Sequence, residues 1–231
     1  MKTVFLKAIG SAVRLLLSGN PEIYQIIGRS LFVSVTAVVL AGVAGIPLGF
    51  LLGLRKFPGK ALTVKVLYVL MGLPPVFVGL IVFILLSRNG PIGRYYYLLF
   101  TPAAMIVAQV LLALPIIAGL TMSAVEERAP WVLETAKGLG ADKWRANLTL
   151  LTELRIPMIV GIVTAFGRVS AEVGAVMLVG GDIAGYTRVL TTAIVLETRM
   201  GHFELAIALG LVLLSLSFLI NSLLYQWQYK R

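Results

Sequence analysis

Residues 126–157 read EERAPWVLETAKGLGADKWRANLTLLTELRIP. This is the longest polar interval in a chain of 231 residues, 59% of them hydrophobic and only 13% charged, with a mean hydropathy of +0.96. A water-soluble domain averages roughly 25% charged residues. So much apolar surface exceeds what a soluble core of this size can bury. Lipid is the expected solvent, and the polar interval is a loop between membrane spans.

The interval has internal order. Pro130 fits the first turn of a helix, where its missing N–H is not needed. Val132, Ala136 and Leu139 share a face at spacings of four and three. Gly138 and Gly140 are natural terminators, because glycine accepts a left-handed cap. Asp142 can cap a second helix. In that helix Trp144, Leu148 and Leu151 form an apolar stripe, with Lys143, Arg145 and Asn147 off it. The spacing predicts two short amphipathic helices around a glycine hinge, a compact knob suited to a groove in a partner. A surface hairpin without a partner fits the same periodicity.

Outward from the interval, apolar runs of about the length needed to cross a bilayer occupy residues 31–54, 62–86, 98–125, 156–179 and 203–225. Pro74-Pro75 lies inside the second run, and Pro102 and Pro115 inside the third. Pro74, Pro75 and Pro115 are candidate helix breaks around a path, with ordinary packing kinks as the alternative. A loop rich in Gly, Thr and charge follows the fourth run at 180–202. Before the first run, Leu6, Ile9, Val13, Leu16 and Leu17 fall at helical spacing among Lys2, Lys7 and Arg14. That pattern predicts an interfacial helix within 1–26. Lys7 and Arg14 also break the apolar run that a cleaved signal peptide needs. The remainder divides into a transmembrane domain, 27–225, and a short tail, 226–231.

The net charge of +10 is spread along the chain with no dense basic block, so nucleic acid is not an expected partner. Positive charge flanking membrane spans accounts for it. Lys and Arg are weakly biased towards the side of the 126–157 loop, which is the expected cytoplasmic side. Cysteine is absent and His202 is the lone histidine, which leaves little material for a metal site or an acid–base centre. Gly59-Lys60 is followed by Ala61, and Leu54 stands where a Walker A glycine belongs. No phosphate-binding loop, dinucleotide fingerprint or HExxH is present. No catalytic residue, metal or cofactor is expected, and any ATP hydrolysis must come from another polypeptide.

Glu134, Thr135, Ala136 and Gly140, in the order E-T-A-x-x-x-G, resemble the cytoplasmic coupling loop of ABC importer permeases. That pattern reads E-A-A, three residues, G, nine residues, then I-x-L-P. Here Thr152-Glu153 stands at the family's Leu-Pro, and the proline arrives at Pro157. The string AEVGAVMLVGGDIAGYTRVLTTAIVLET at 171–198, with MGLPPVFVGL at 71–80, resembles permeases of the sulfate, molybdate and tungstate group, most of all its tungstate branch. The resemblance covers the chain from about Ile27 onward.

It implies an all-α integral membrane protein of five transmembrane helices per subunit, of the type I ABC importer permease kind, in a prokaryotic plasma (inner) membrane. It also implies a second copy of the chain, an ABC ATPase dimer docked on the 126–157 loops from inside, and an extracytoplasmic substrate-binding protein. The cargo would be an oxyanion: tungstate first, with molybdate or sulfate as alternatives. A channel or carrier working without ATP, or a membrane enzyme, is the rival class. Five runs without a repeat suit a carrier poorly.

Glu134, Thr135, Ala136, Gly138, Gly140, Asp142 and Trp144 are the candidate coupling residues. Arg168 and Glu172 lie four apart in an apolar run, so a continuous helix would bring them together as an ion pair. They either line the path or neutralise each other between helices. Thr187, Arg188, Thr191 and Thr192 offer hydroxyls and a guanidinium, the donors a tetrahedral dianion wants. A solvated loop facing the binding protein is the other reading of those four.

Overall fold

The computed structural model describes residues 20–229, together with Gly10, Ser11 and Arg14. The interfacial helix expected within 1–26 lies mostly outside these residues. Among the described residues every regular element is an α-helix.

Helix α1, Pro21–Leu54, starts ten residues before the first apolar run. Asn20 caps it, its side-chain oxygen accepting from the Glu22 N–H at 2.9 Å, and Pro21 occupies the first turn. Residues 21–26 therefore belong to the first span's helix. Gly45, Gly49 and Gly53 form a seam against a later helix, α4 (Pro102–Gly138). A β-carbon on Gly45 would stand 3.2 Å from the Leu114 carbonyl oxygen, and one on Gly53 2.6 Å from Val125 Cβ. In lipid, where no hydrophobic force drives helices together, such close backbone approach supplies the packing contact.

The second run is not one straight helix. It is α2, Lys60–Met71, and α3, Pro75–Leu86, set at 99° to each other. A residue before proline is pushed out of the helical region. Leu73 and Pro74 each precede a proline, and Pro74 is extended at φ −62°, ψ 122°. Pro74-Pro75 is thus a genuine break.

Helix α4, Pro102–Gly138, is the centre of the fold. Thr101 caps it, and its flanks bury Met105, Ala108, Leu112, Ile117, Met122 and Val125 against α1, α3 and the later helices. Its 37 residues extend about 55 Å at 1.5 Å per residue, far more than the roughly 30 Å of a hydrocarbon core. Two expectations are corrected. Pro115 does not break the helix; it is buried within it. Pro130 does not begin a new helix, because α4 continues through it to Gly138. A membrane helix accepts proline where surrounding packing holds the freed carbonyl in place.

Helices α5, Lys143–Glu153, and α6, Arg155–Ser170, meet at a bend of 50°. The fourth apolar run is also interrupted: after Ser170 the chain leaves the helix at 171–173 and resumes as α7, Gly174–Gly180. The expected loop at 180–202 contains a ten-residue helix, α8, Leu190–Arg199. Helix α9, Phe203–Tyr229, absorbs most of the expected tail. Among the described residues three helices are individually long and apolar enough to cross a membrane, and up to five spans result if each bent pair counts as one.

Candidate functional site

The 126–157 interval forms the end of α4, a turn, and α5 folded back beside it. The turn satisfies the last carbonyls of α4 in a defined way. The Gly140 N–H donates to the Lys137 carbonyl and the Ala141 N–H to the Ala136 carbonyl, both at 2.9 Å. This Schellman arrangement requires a left-handed residue, and Gly140 supplies it at φ +81°. Gly138 is still helical and has open space around it, so the turn rests on Gly140 alone. Asp142 then caps α5, its Oδ1 accepting from the Arg145 N–H at 2.8 Å.

The inner face of α5, Ala146 and Leu150, packs with Leu154 against Val125, Ala129 and Val132 of α4. Arg128 fastens the far end by donating to the Glu153 carbonyl at 3.1 Å. Ala136 is buried beneath the turn, while Glu134 and Thr135 are exposed. Trp144 is 70% exposed, and Leu148 and Leu151 continue its stripe outward. Leu139 differs from the expected face. It is 84% exposed rather than aligned with Val132 and Ala136, because it is the cap residue and departs from the helical period. Trp131 is also exposed and was not singled out from sequence. Its signal was a tryptophan in a polar interval. Between α4 and the turn after α1, Lys56, Lys60, Glu126, Pro130 and Glu134 line a cleft, braced by the Lys60–Glu126 ion pair at 2.9 Å.

At the 171–173 break, Arg168 and Glu172 do not pair. Losing helical turn between them destroys the four-residue register. Arg168 is exposed in the last turn of α6, where a cation complements the helix dipole. Glu172 is 7% exposed. Its Oε1 accepts from the Ala175 N–H at 3.0 Å, and its backbone carbonyl accepts from the Thr191 hydroxyl at 3.0 Å.

The hydroxyls at 187–192 are occupied by the fold. Thr187 donates to the Gly180 carbonyl at 2.6 Å and accepts from the Ile183 N–H at 2.9 Å. Thr192 closes onto the Val189 backbone, bonding its N–H and carbonyl at 3.1 Å each. The Arg188 guanidinium is held by Asp182, Nε to Oδ1 at 3.3 Å, with Glu22 farther off at 3.9 Å. Arg29 of α1, unnoticed in the sequence, donates to the carbonyls of Gly185 at 2.7 Å and Arg188 at 3.1 Å. These residues lock the segment to α1 and offer no free donor ring to an anion in this conformation. Among the described residues no group of three His, Cys, Asp or Glu is placed to hold a metal.

The family of binding-protein-dependent transport system inner membrane components matches residues 45–230. The chain belongs to this family. It is 48% identical to the tungstate uptake system permease protein TupB of Peptoclostridium acidaminophilum, over 94% of this chain and 95% of that one. Its identity to TupB of Campylobacter jejuni is 37%, over 96% and 94%. To the molybdenum transport system permease protein ModB of Escherichia coli K12 it is 32%, over 85% and 91%. The chain is accordingly a permease subunit in the inner membrane and not an enzyme. Dependence on a binding protein, and on an ATPase made by another polypeptide, comes with the family.

Proposed function

We propose that two copies of this chain form the pore of a tungstate importer, each with five membrane spans and the α4–α5 knob in the cytoplasm. The permease domain takes in the whole of α1, from Pro21, instead of starting at about 27, and runs to about 225. The observation that carries the substrate is the 48% identity, nearly end to end, to a tungstate uptake permease. The more distant molybdenum permease supports the oxyanion class as a whole.

The exposed apolar stripe of Trp144, Leu148 and Leu151 on α5, with Leu139 exposed at the turn, supports the docking role of the knob. Apolar patches of this kind on otherwise polar surfaces mark interaction sites, and partly exposed Trp is a frequent anchor. The ATPase dimer grips the two knobs from inside, with Glu134 and Gly140 fixing the shape that it reads. Closure of that dimer on ATP moves the knobs, and α4 carries the motion into the span. A substrate-loaded binding protein docks on the opposite face. Arg168 and Glu172 belong to the region that changes between states, and the 187–192 segment lies at the outer mouth.

The test is ATP hydrolysis by the full complex in proteoliposomes, with its ATPase and binding protein, challenged in turn with tungstate, molybdate and sulfate. Stimulation by tungstate at much the lowest concentration is expected. Stimulation by molybdate or sulfate instead moves the substrate and leaves the importer. Stimulation by none, with an assembled complex, removes the oxyanion reading.

A further inference from the structure

Beside the break between α6 and α7, a small internal cavity of about 10 Å³ is lined by Ser34, Gln109, Ser170, Glu172 and Thr191, among others. That is roughly the room of one water or one desolvated sodium ion. Two of the lining oxygens are orphaned. Gln109 is 3% exposed and spends its amide N–H on the Val169 carbonyl at 3.1 Å, which leaves Oε1 buried with no partner. The Ser170 Oγ is likewise buried and unpartnered.

The third group is a carboxylate without a counter-charge. Among the described residues no Lys, Arg or His pairs with Glu172. A single backbone N–H, that of Ala175, bonds its side chain. Arg188 and Arg29, the cations on neighbouring elements, are engaged by Asp182 and by backbone carbonyls. A charge at membrane depth is costly unless it is paired. The last carbonyls of α6 add negative potential at the same point.

We propose that this cavity binds one sodium ion, ligated by the Glu172 carboxylate, Gln109 Oε1 and Ser170 Oγ. The free groups are oxygens, the ligand type that hard cations take. A single carboxylate matches a monovalent ion; calcium would leave an uncompensated positive charge and wants six to eight oxygens. A water molecule could satisfy Gln109 and Ser170 but would leave the carboxylate's charge uncompensated. In secondary transporters, a different class, unwound helix segments with free oxygens coordinate such ions. The site joins α1, α4, the α6 break and α8, so the bound ion fixes the break against the central helix. The inference is independent of which oxyanion is carried.

The test is thermal unfolding of the purified full-length permease in sodium, potassium or choline chloride at equal ionic strength and pH. Sodium is expected to raise the midpoint over choline by about 2–4 °C, saturably, for each kcal/mol of binding, with potassium giving less. Ser170→Ala should move the effect to higher sodium concentration, and Glu172→Gln should abolish it. Equal melting of the wild-type protein in sodium and choline overturns the site. An undiminished sodium effect in Glu172→Gln overturns it too. Should Glu172→Gln fail to fold, the wild-type comparison and Ser170→Ala decide alone.

Discussion

The backbone of Gly49 in α1 lies against the carbonyl oxygen of Ala118 in α4, with no space for a β-carbon between them. Gly45 and Gly53, four residues to either side, repeat the contact along the same pair of helices. A main-chain carbonyl cannot rotate away as a side chain can. Gly49→Ala is therefore expected to destabilise the permease by about 1–3 kcal/mol, read as a lowered unfolding midpoint in detergent. Gly42, whose β-carbon would meet nothing within 4 Å, is the control. There alanine should be neutral or should stabilise by up to about 1 kcal/mol, since glycine is a poor helix residue. Equal damage at both positions would argue against the seam.

Gly140→Val addresses the knob. The left-handed backbone at this position costs a non-glycine residue about 1–2 kcal/mol, more for a β-branched one. The α4–α5 angle is expected to relax. Substrate-stimulated ATP hydrolysis should fall by at least tenfold while the amount of permease in the membrane stays normal. Gly138→Ala, two residues away in regular helix, should leave both intact.

Trp144→Ala removes an exposed anchor without touching the packing beneath it. Stability of the isolated permease should change by no more than about 0.5 kcal/mol. Affinity for the ATPase should drop by about 2 kcal/mol, roughly thirtyfold, if Trp144 is a central contact. Leu148→Ala should act in the same direction and more weakly. Co-purification of the ATPase with each variant, and its titration against reconstituted permease, read the effect.

Arg168 and Glu172 should behave as strangers. A paired model expects each single neutralisation to be repaired by the other. With Arg168 exposed and Glu172 bonded to Ala175 and the α8 side, Arg168→Gln should be mild and Glu172→Gln severe. The double variant should resemble Glu172→Gln, with an interaction energy under about 0.5 kcal/mol. Membrane levels and uptake of the three variants measure it.

The turn at Gly140 was readable residue by residue because its signals are local. Gly140 needs one backbone conformation and Asp142 one hydrogen bond, and both lie within three residues of the groups they serve. Pro130 and Pro115 misled for the complementary reason. Proline's effect on a helix depends on whether neighbours hold the freed carbonyl, and those neighbours are distant in sequence. The 171–173 break had no warning in composition, since Ala171, Glu172 and Val173 are ordinary helix residues. What holds it open is Thr191 on another helix and the bond from Ala175. The seam of Gly45, Gly49 and Gly53 against α4 was not legible, since a glycine in a span does not name the helix that it meets. Arg29 was invisible because its partners are carbonyls some 160 positions away.

The exposed stripe on the knob also bears on how the protein is made. On the proposed topology Leu139, Trp144, Leu148 and Leu151 stand outside the lipid, so the bilayer does not cover them. A newly inserted chain with nothing docked there presents an adhesive surface to water, open to aggregation and to the proteases and chaperones that survey such surfaces. If the knob is the docking site, supply of the ATPase subunit is expected to set how much permease survives.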